Sequence, residues 1–155
     1  MSDEFQLVSK SEASTRNTAR AIARFFHPGD LIVLDGDLGA GKTHFVKGFA
    51  EGLNSADTVT SPTFSIANFY RTGSFDLLHA DLYRISSVDE FNDLGLSDYF
   101  DTSVVLIEWG MKFAECLDEY LLVSFGMKDG NRLITFTAKG DRYDLLLDRI
   151  RTELC

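Results

Sequence analysis

Proline is nearly absent from this 155-residue chain: two occur, Pro28 and Pro62, each where a turn is expected, so long stretches are free to form regular structure. Cysteine is equally sparse. Cys116 and Cys155 lie far apart, with no Cys or His neighbour at metal-ligand spacing, and are expected to be free thiols in a reducing compartment. The three histidines, His27, His44 and His79, are scattered, which argues against a structural zinc site. No run approaches the roughly 18 apolar residues of a membrane span, and the acidic Met1-Ser2-Asp3-Glu4 leads into no apolar signal stretch. The expectation is a cytoplasmic protein with no membrane partner. Positive charge is short as well, with 15 Lys and Arg against 24 Asp and Glu, a net charge of −9. Such a chain is repelled by bare phosphate backbones, so nucleic acid is expected to be reached mainly through a partner protein.

What is present suffices for one core. Apolar residues make up 45% of the chain, 13 of them Phe. With no repeat, low-complexity stretch or linker, residues 1–155 are expected to form a single domain. Residues 5–8 read as a short strand. Residues 11–26 read as a helix capped by Ser11 or Ser14, with Ala19, Ile22, Ala23 and Phe26 on one face. His27-Pro28-Gly29-Asp30 breaks it. Residues 31–34 are a continuous apolar run of strand length, suited to a strand buried on both faces of a parallel sheet. A helix over 42–53 burying Phe45, Val46 and Phe49 follows. Strands are expected over 64–70, 75–79 and 104–107, and a hairpin over 120–125 and 132–137. Short and long helices are expected over 88–94 and 141–154. The alternation predicts an α/β domain of the P-loop NTPase type, with a mixed, mostly parallel sheet flanked by helices.

Gly36-x-x-x-x-Gly41-Lys42-Thr43 matches the phosphate-loop pattern at every defined position, with an apolar strand before it and an amphipathic helix after it. Glycines let successive backbone amides point inward at an anion. The loop through Asp37, Leu38, Gly39, Ala40, Gly41, Lys42, Thr43 and His44 is therefore expected to hold a nucleotide. Lys42 brings positive charge to the terminal phosphates, the Thr43 hydroxyl is a hard oxygen ligand for Mg2+, and the helix aims its positive end at the same place. Two carboxylates end apolar strands. Glu108 is placed to reach magnesium directly or through water, and Asp81 to hold the metal or orient the attacking water. Thr60, Ser61 and Thr63 form a hydroxyl-rich segment where nucleotide switches sense the terminal phosphate. Arg84 and Lys112 follow the acidic motifs and are candidates to neutralise phosphate. Trp109 is a candidate to stack on a base or partner. Guanine-reading Asn-Lys-x-Asp and switch Asp-x-x-Gly sequences are missing, as are the protein-kinase motifs, so ATP is preferred over GTP by elimination.

The phosphate loop, then Ser61-Pro62-Thr63-Phe64, His79-Ala80-Asp81-Leu82-Tyr83-Arg84 and Ile107-Glu108-Trp109, in this order, resemble the TsaE family over about residues 11–150. The resemblance implies a single phosphate-loop domain that binds and slowly hydrolyses ATP with magnesium. It implies work with a TsaD-type catalytic subunit and a TsaB-type subunit, which together transfer a threonylcarbamoyl group to an adenosine of tRNA. Lys42 and Thr43 match the phosphate and magnesium positions, Asp81 the acidic residue of the His-x-Asp-x-Tyr-Arg motif, and Glu108 the magnesium-associated glutamate. Ser61 and Thr63 match the switch-like loop, and Thr15 the early-helix threonine near the nucleotide. Where the family continues Pro-Glu after Ile-Glu-Trp, this chain has Gly110-Met111, and no role is carried over to those two positions.

Two other readings share the loop. A small-molecule or nucleotide kinase would pass the γ-phosphate to an acceptor, but Arg71 and Arg84 are the only arginines between the loop and Glu108, too few for an arginine-bearing lid. A nucleotide-gated binding module would need ATP binding but no turnover.

Overall fold

The structure, a computed structural model, describes residues 4–37, 41–60, 62 and 66–155. In chain order the elements are β1 (Glu4–Ser9), α1 (Glu12–Ala23), β2 (Leu31–Asp35), α2 (Lys42–Gly52), β3 (Ala67–Arg71), β4 (Asp76–Asp81), α3 (Val88–Asp93), β5 (Ser103–Glu108), β6 (Tyr120–Lys128), β7 (Asn131–Lys139) and α4 (Asp141–Leu154). Short 3-10 helices over Leu96–Tyr99 and Gly110–Cys116 complete them; neither has an apolar period long enough to announce itself in the sequence.

Among the described residues one mixed sheet forms, in the order β1-β7-β6-β2-β5-β4-β3. Parallel pairing holds its centre, where β6, β2, β5 and β4 run together, and the pairs at the margins are antiparallel. The central strands explain the apolar runs. Side chains alternate between faces: Ile32, Leu34, Val104 and Leu106 pack with α1, α2 and α4, whereas Leu31, Val33, Val105 and Ile107 pack on the opposite side with Phe91, Leu96 and Phe113. Both faces are covered, so neither strand has a polar side.

Local signals set the boundaries. Ser11, not Ser14, caps α1, its hydroxyl accepting from the Ser14 amide. The helix closes at Ala23, and Phe25 and Phe26 continue in tighter turns onto the carbonyls of Ile22 and Ala23. Phe26 still buries with Ala19, Ile22 and Ala23, as the expected apolar face requires. The expected strand over 64–70 begins at Ala67: 64 and 65 lie outside the described residues, and Ile66, at φ 68, precedes the strand. The hairpin turns on Asp129-Gly130 alone, both at positive φ, so β6 and β7 run farther than expected.

The contact that places the phosphate-loop helix is between α1 and α2. A Cβ at Gly48 would overlap the Arg16 carbonyl, and one at Gly52 would meet the Arg20 carbonyl at 2.5 Å. The helices therefore touch backbone to backbone along one row of α2, four residues apart. Beside that row Arg16 donates to both oxygens of Glu51 (2.5 and 2.8 Å), and Arg20 donates to one of them. The Arg16 hydrogen bonds, aided by Arg20, hold the Glu51 carboxyl at about 2 against an ordinary 4.5.

Gly48→Ala gains about 1 kcal/mol of helix propensity but forces the helices apart, which costs about 3 kcal/mol. Urea unfolding should show a net loss of about 2 kcal/mol, and a neutral or stabilised variant would contradict the packing described. Glu51 has a lowered folded pKa, so its ion pair stabilises above 4.5 and that contribution is lost as pH falls toward 2. The stability gap between wild type and Glu51→Gln should be constant above that window and close within it. A gap that widens on acidification would be the wrong sign.

Candidate functional site

A cleft of about 510 Å³ opens at the carboxyl ends of β4 and β5 and the start of α2, bounded by Ser9, Thr15 and the turn of the β6–β7 hairpin. Gly41, Lys42, Thr43, His44, Asp81 and Glu108 all line it. Leu38, Gly39 and Ala40 lie outside the described residues, as do Ser61 and Thr63 of the hydroxyl-rich segment.

Helix α2 begins as α4 does, at a glycine with positive φ, and unlike α1 and α3. Ser11 and Ser87 cap α1 and α3 by side-chain hydrogen bonds, whereas Gly41 at the start of α2, at φ 103, makes none. Glycine is needed for that backbone, and its missing side chain leaves the first-turn amides uncovered by their own cap. Lys42 follows at once and is only 5% exposed. Its ammonium donates to the Gly36 carbonyl at 2.8 Å and sits 4.2 Å over the Trp109 ring. Burial pushes the Lys42 ammonium below the usual lysine range, opposed by the charges of Glu108, Asp81, Asp35 and Asp37. An anion entering the cleft would restore part of what burial removes.

The two carboxylates arrive by register. Asp81 and Glu108 are paired residues at the ends of the parallel strands β4 and β5, so they emerge side by side. Both share a face with Leu77 and Leu106, the side packed against α2. Asp81 accepts from the Tyr83 amide at 2.9 Å, which fixes the carboxylate in the bend after the strand. Glu108 is buried, and its Oε2 lies 2.6 Å from Nε2 of His79, within hydrogen-bond distance. His79 stands in the quoted motif, but nothing in one sequence shows that its ring reaches the next strand.

Thr15 is brought to the cleft, buried, its hydroxyl 2.7 Å from that of Ser9 and its methyl 4.0 Å from the position a Gly41 side chain would take. Asp37 is exposed at the start of the loop, and His44 faces Glu12 at 3.3 Å. Thr60 is exposed, but its backbone is held: the Tyr70 hydroxyl donates to its carbonyl at 2.9 Å and accepts from its amide at 3.2 Å.

Two candidates have partners within the protein. Lys112 does not line the cleft. Its ammonium donates to the carbonyls of Leu82, Tyr83 and Ile85, tying down the bend after Asp81, because the 3-10 helix carries it across that bend. Trp109 lies under Lys42 with Tyr83 at 5.0 Å on its ring. Its φ of 62 belongs to the left-handed region, which costs a non-glycine residue about 1 kcal/mol and turns the ring back under Lys42. Gly110 is buried, and a side chain there would press on Ile107 and Val33. Arg84 is exposed.

Fold and cleft together define an α/β domain of the phosphate-loop type. The family model described as "Threonylcarbamoyl adenosine biosynthesis protein TsaE" matches residues 9–134, and the chain belongs to that family. Among its relatives are two proteins called tRNA threonylcarbamoyladenosine biosynthesis protein TsaE. That of Bacillus subtilis strain 168 is 46% identical over 139 residues, covering 88% of this chain and 87% of the relative. That of Treponema pallidum is 41% identical over 132 residues, covering 83% and 96%. The crystal structure of YdiB from Bacillus subtilis superposes with a TM-score of 0.82 at 36% identity, covering 100% of this chain and 99% of that one.

Proposed function

We propose that this chain is a magnesium-dependent ATPase of the cytoplasm, one domain over residues 1–155. Its turnover supports a TsaB–TsaD complex in threonylcarbamoylation of a tRNA adenosine. The observation that carries the reading is the cleft itself: a buried lysine at the start of an α-helix without a side-chain cap, facing two carboxylates in register at the ends of adjacent parallel strands.

The donor set fits magnesium. Thr43, Asp81 and Glu108 offer hard oxygens, and among the described residues no group of three or more His, Cys, Asp or Glu could hold a metal alone. Magnesium in such sites takes one or two protein ligands and completes its shell with phosphate and water. Thr43 and Glu108 would hold it. When bound, it supplies charge that screens the phosphate oxygens and keeps them in line for displacement. Lys42 would offset the charge that develops on the γ-phosphate, and the amides at the start of α2 would hold its oxygens. Asp81 would accept a hydrogen bond from the attacking water and aim it. Thr15 borders the loop and would contact the nucleotide there. Thr60, with Ser61 and Thr63, would respond to the terminal phosphate.

The partnership agrees with the charge: at −9 the chain suits association with proteins better than direct contact with tRNA. The test is ATP turnover by the purified chain, alone and with TsaB and TsaD. Weak turnover that needs magnesium and rises with the partners is expected. Lys42→Ala should lower it at least about a hundredfold. Turnover indifferent to the partners but stimulated by a small acceptor would move the assignment to a kinase. Full activity in Lys42→Ala would refute the scheme.

A further inference from the structure

His79 is assigned no part in the scheme above, yet its position is hard to explain by packing. It is fully buried on β4. Nε2 lies 2.6 Å from Glu108 Oε2, and Nδ1 has no hydrogen-bond partner among the described residues. A buried polar atom without a partner destabilises the fold, and a leucine would fill similar space without one. Something other than stability accounts for an imidazole here.

Register supplies it. His79 pairs with Leu106 across the parallel ladder, so Glu108, two residues on, is its diagonal neighbour on the same face. A bare Nε2 would set two lone pairs against each other at 2.6 Å, so a hydrogen lies between them. Glu108 therefore has one oxygen held from behind while the residue still lines the cleft. Lys42 is the strongest competing attraction. It feels Glu108 more than any other carboxylate, yet Glu108 bonds His79 and not Lys42, whose ammonium rests on the Gly36 carbonyl and the Trp109 ring.

We propose that His79 is a positioning residue: it holds the Glu108 carboxylate away from Lys42, so that carboxylate and ammonium stay separately available to a divalent ion and to phosphate. This rests on the hydrolytic reading above and adds to it the reason the two charges do not close on each other. In His79→Leu the carboxylate is released to pair with Lys42. In His79→Gln an amide can donate in place of Nε2.

The test compares wild type, His79→Leu and His79→Gln at matched folded fraction, by equilibrium binding of ATP with and without magnesium and by turnover against magnesium concentration. In His79→Leu the magnesium needed for half-maximal effect should rise about 10- to 100-fold, and His79→Gln should recover most of it. In nitrogen-15-labelled protein without nucleotide, a slowly exchanging His79 Nε2–H resonance should be present, shifted by Glu108→Gln and lost in His79→Leu. Unchanged magnesium dependence in His79→Leu, glutamine no better than leucine, or no such resonance in the wild type would each overturn the proposal. Wild-type protein with intact magnesium-dependent binding but no turnover would sink the hydrolytic reading alone.

Discussion

Burying the ammonium of Lys42 is the constraint around which the cleft is arranged. A cation removed from water is unfavourable unless dipoles or opposite charges replace the solvent. Among the described residues the replacement is partial: one carbonyl, one aromatic face, and carboxylates close enough to act through space but not bonded to it. Direct pairing with Glu108 would satisfy the lysine more fully and would also fill the cleft. The arrangement leaves the charge stabilised enough to fold and free enough to meet an anion.

The rest of the molecule keeps that balance rigid. Alternation along β4 and β5 sends His79, Asp81 and Glu108 to the face where α2 begins, and parallel register brings the two acids level. Gly48 and Gly52 let α2 lie against α1 closely enough for Thr15 to border the phosphate loop. Lys112 fastens the bend behind Asp81, and the left-handed turn at Trp109 returns an aromatic ring beneath Lys42. Each is a contact between segments distant in sequence, so the cleft depends on the whole sheet rather than on the loop motif alone.

That division explains what the sequence could show. The apolar runs of β2 and β5, the cap before α1 and the Asp-Gly turn are local signals, and they placed the elements. The carboxylates were visible because strand ends next to a phosphate loop have few other uses. His79 was not, since a diagonal contact between parallel strands depends on register that no local pattern encodes. The direction of Lys112 was hidden for a related reason: a lysine after an acidic motif looks like a phosphate ligand until the 3-10 helix beneath it is placed. The backbone contact at Gly48 was hidden because a glycine inside a helix reads as a weakness until its neighbour is known.

Calorimetric titration of the purified chain with ATP tests the charge balance around Lys42 most directly. Glu108, Asp81, Asp35 and Asp37 around one buried lysine repel a bare triphosphate, and a divalent ion converts that repulsion into attraction. ATP should therefore bind at least about tenfold more tightly with magnesium than in excess chelator, a difference of about 1.4 kcal/mol, and the gap should shrink in Glu108→Gln. Equal affinity in both conditions would contradict the account, because the acids would then have no part in receiving the nucleotide.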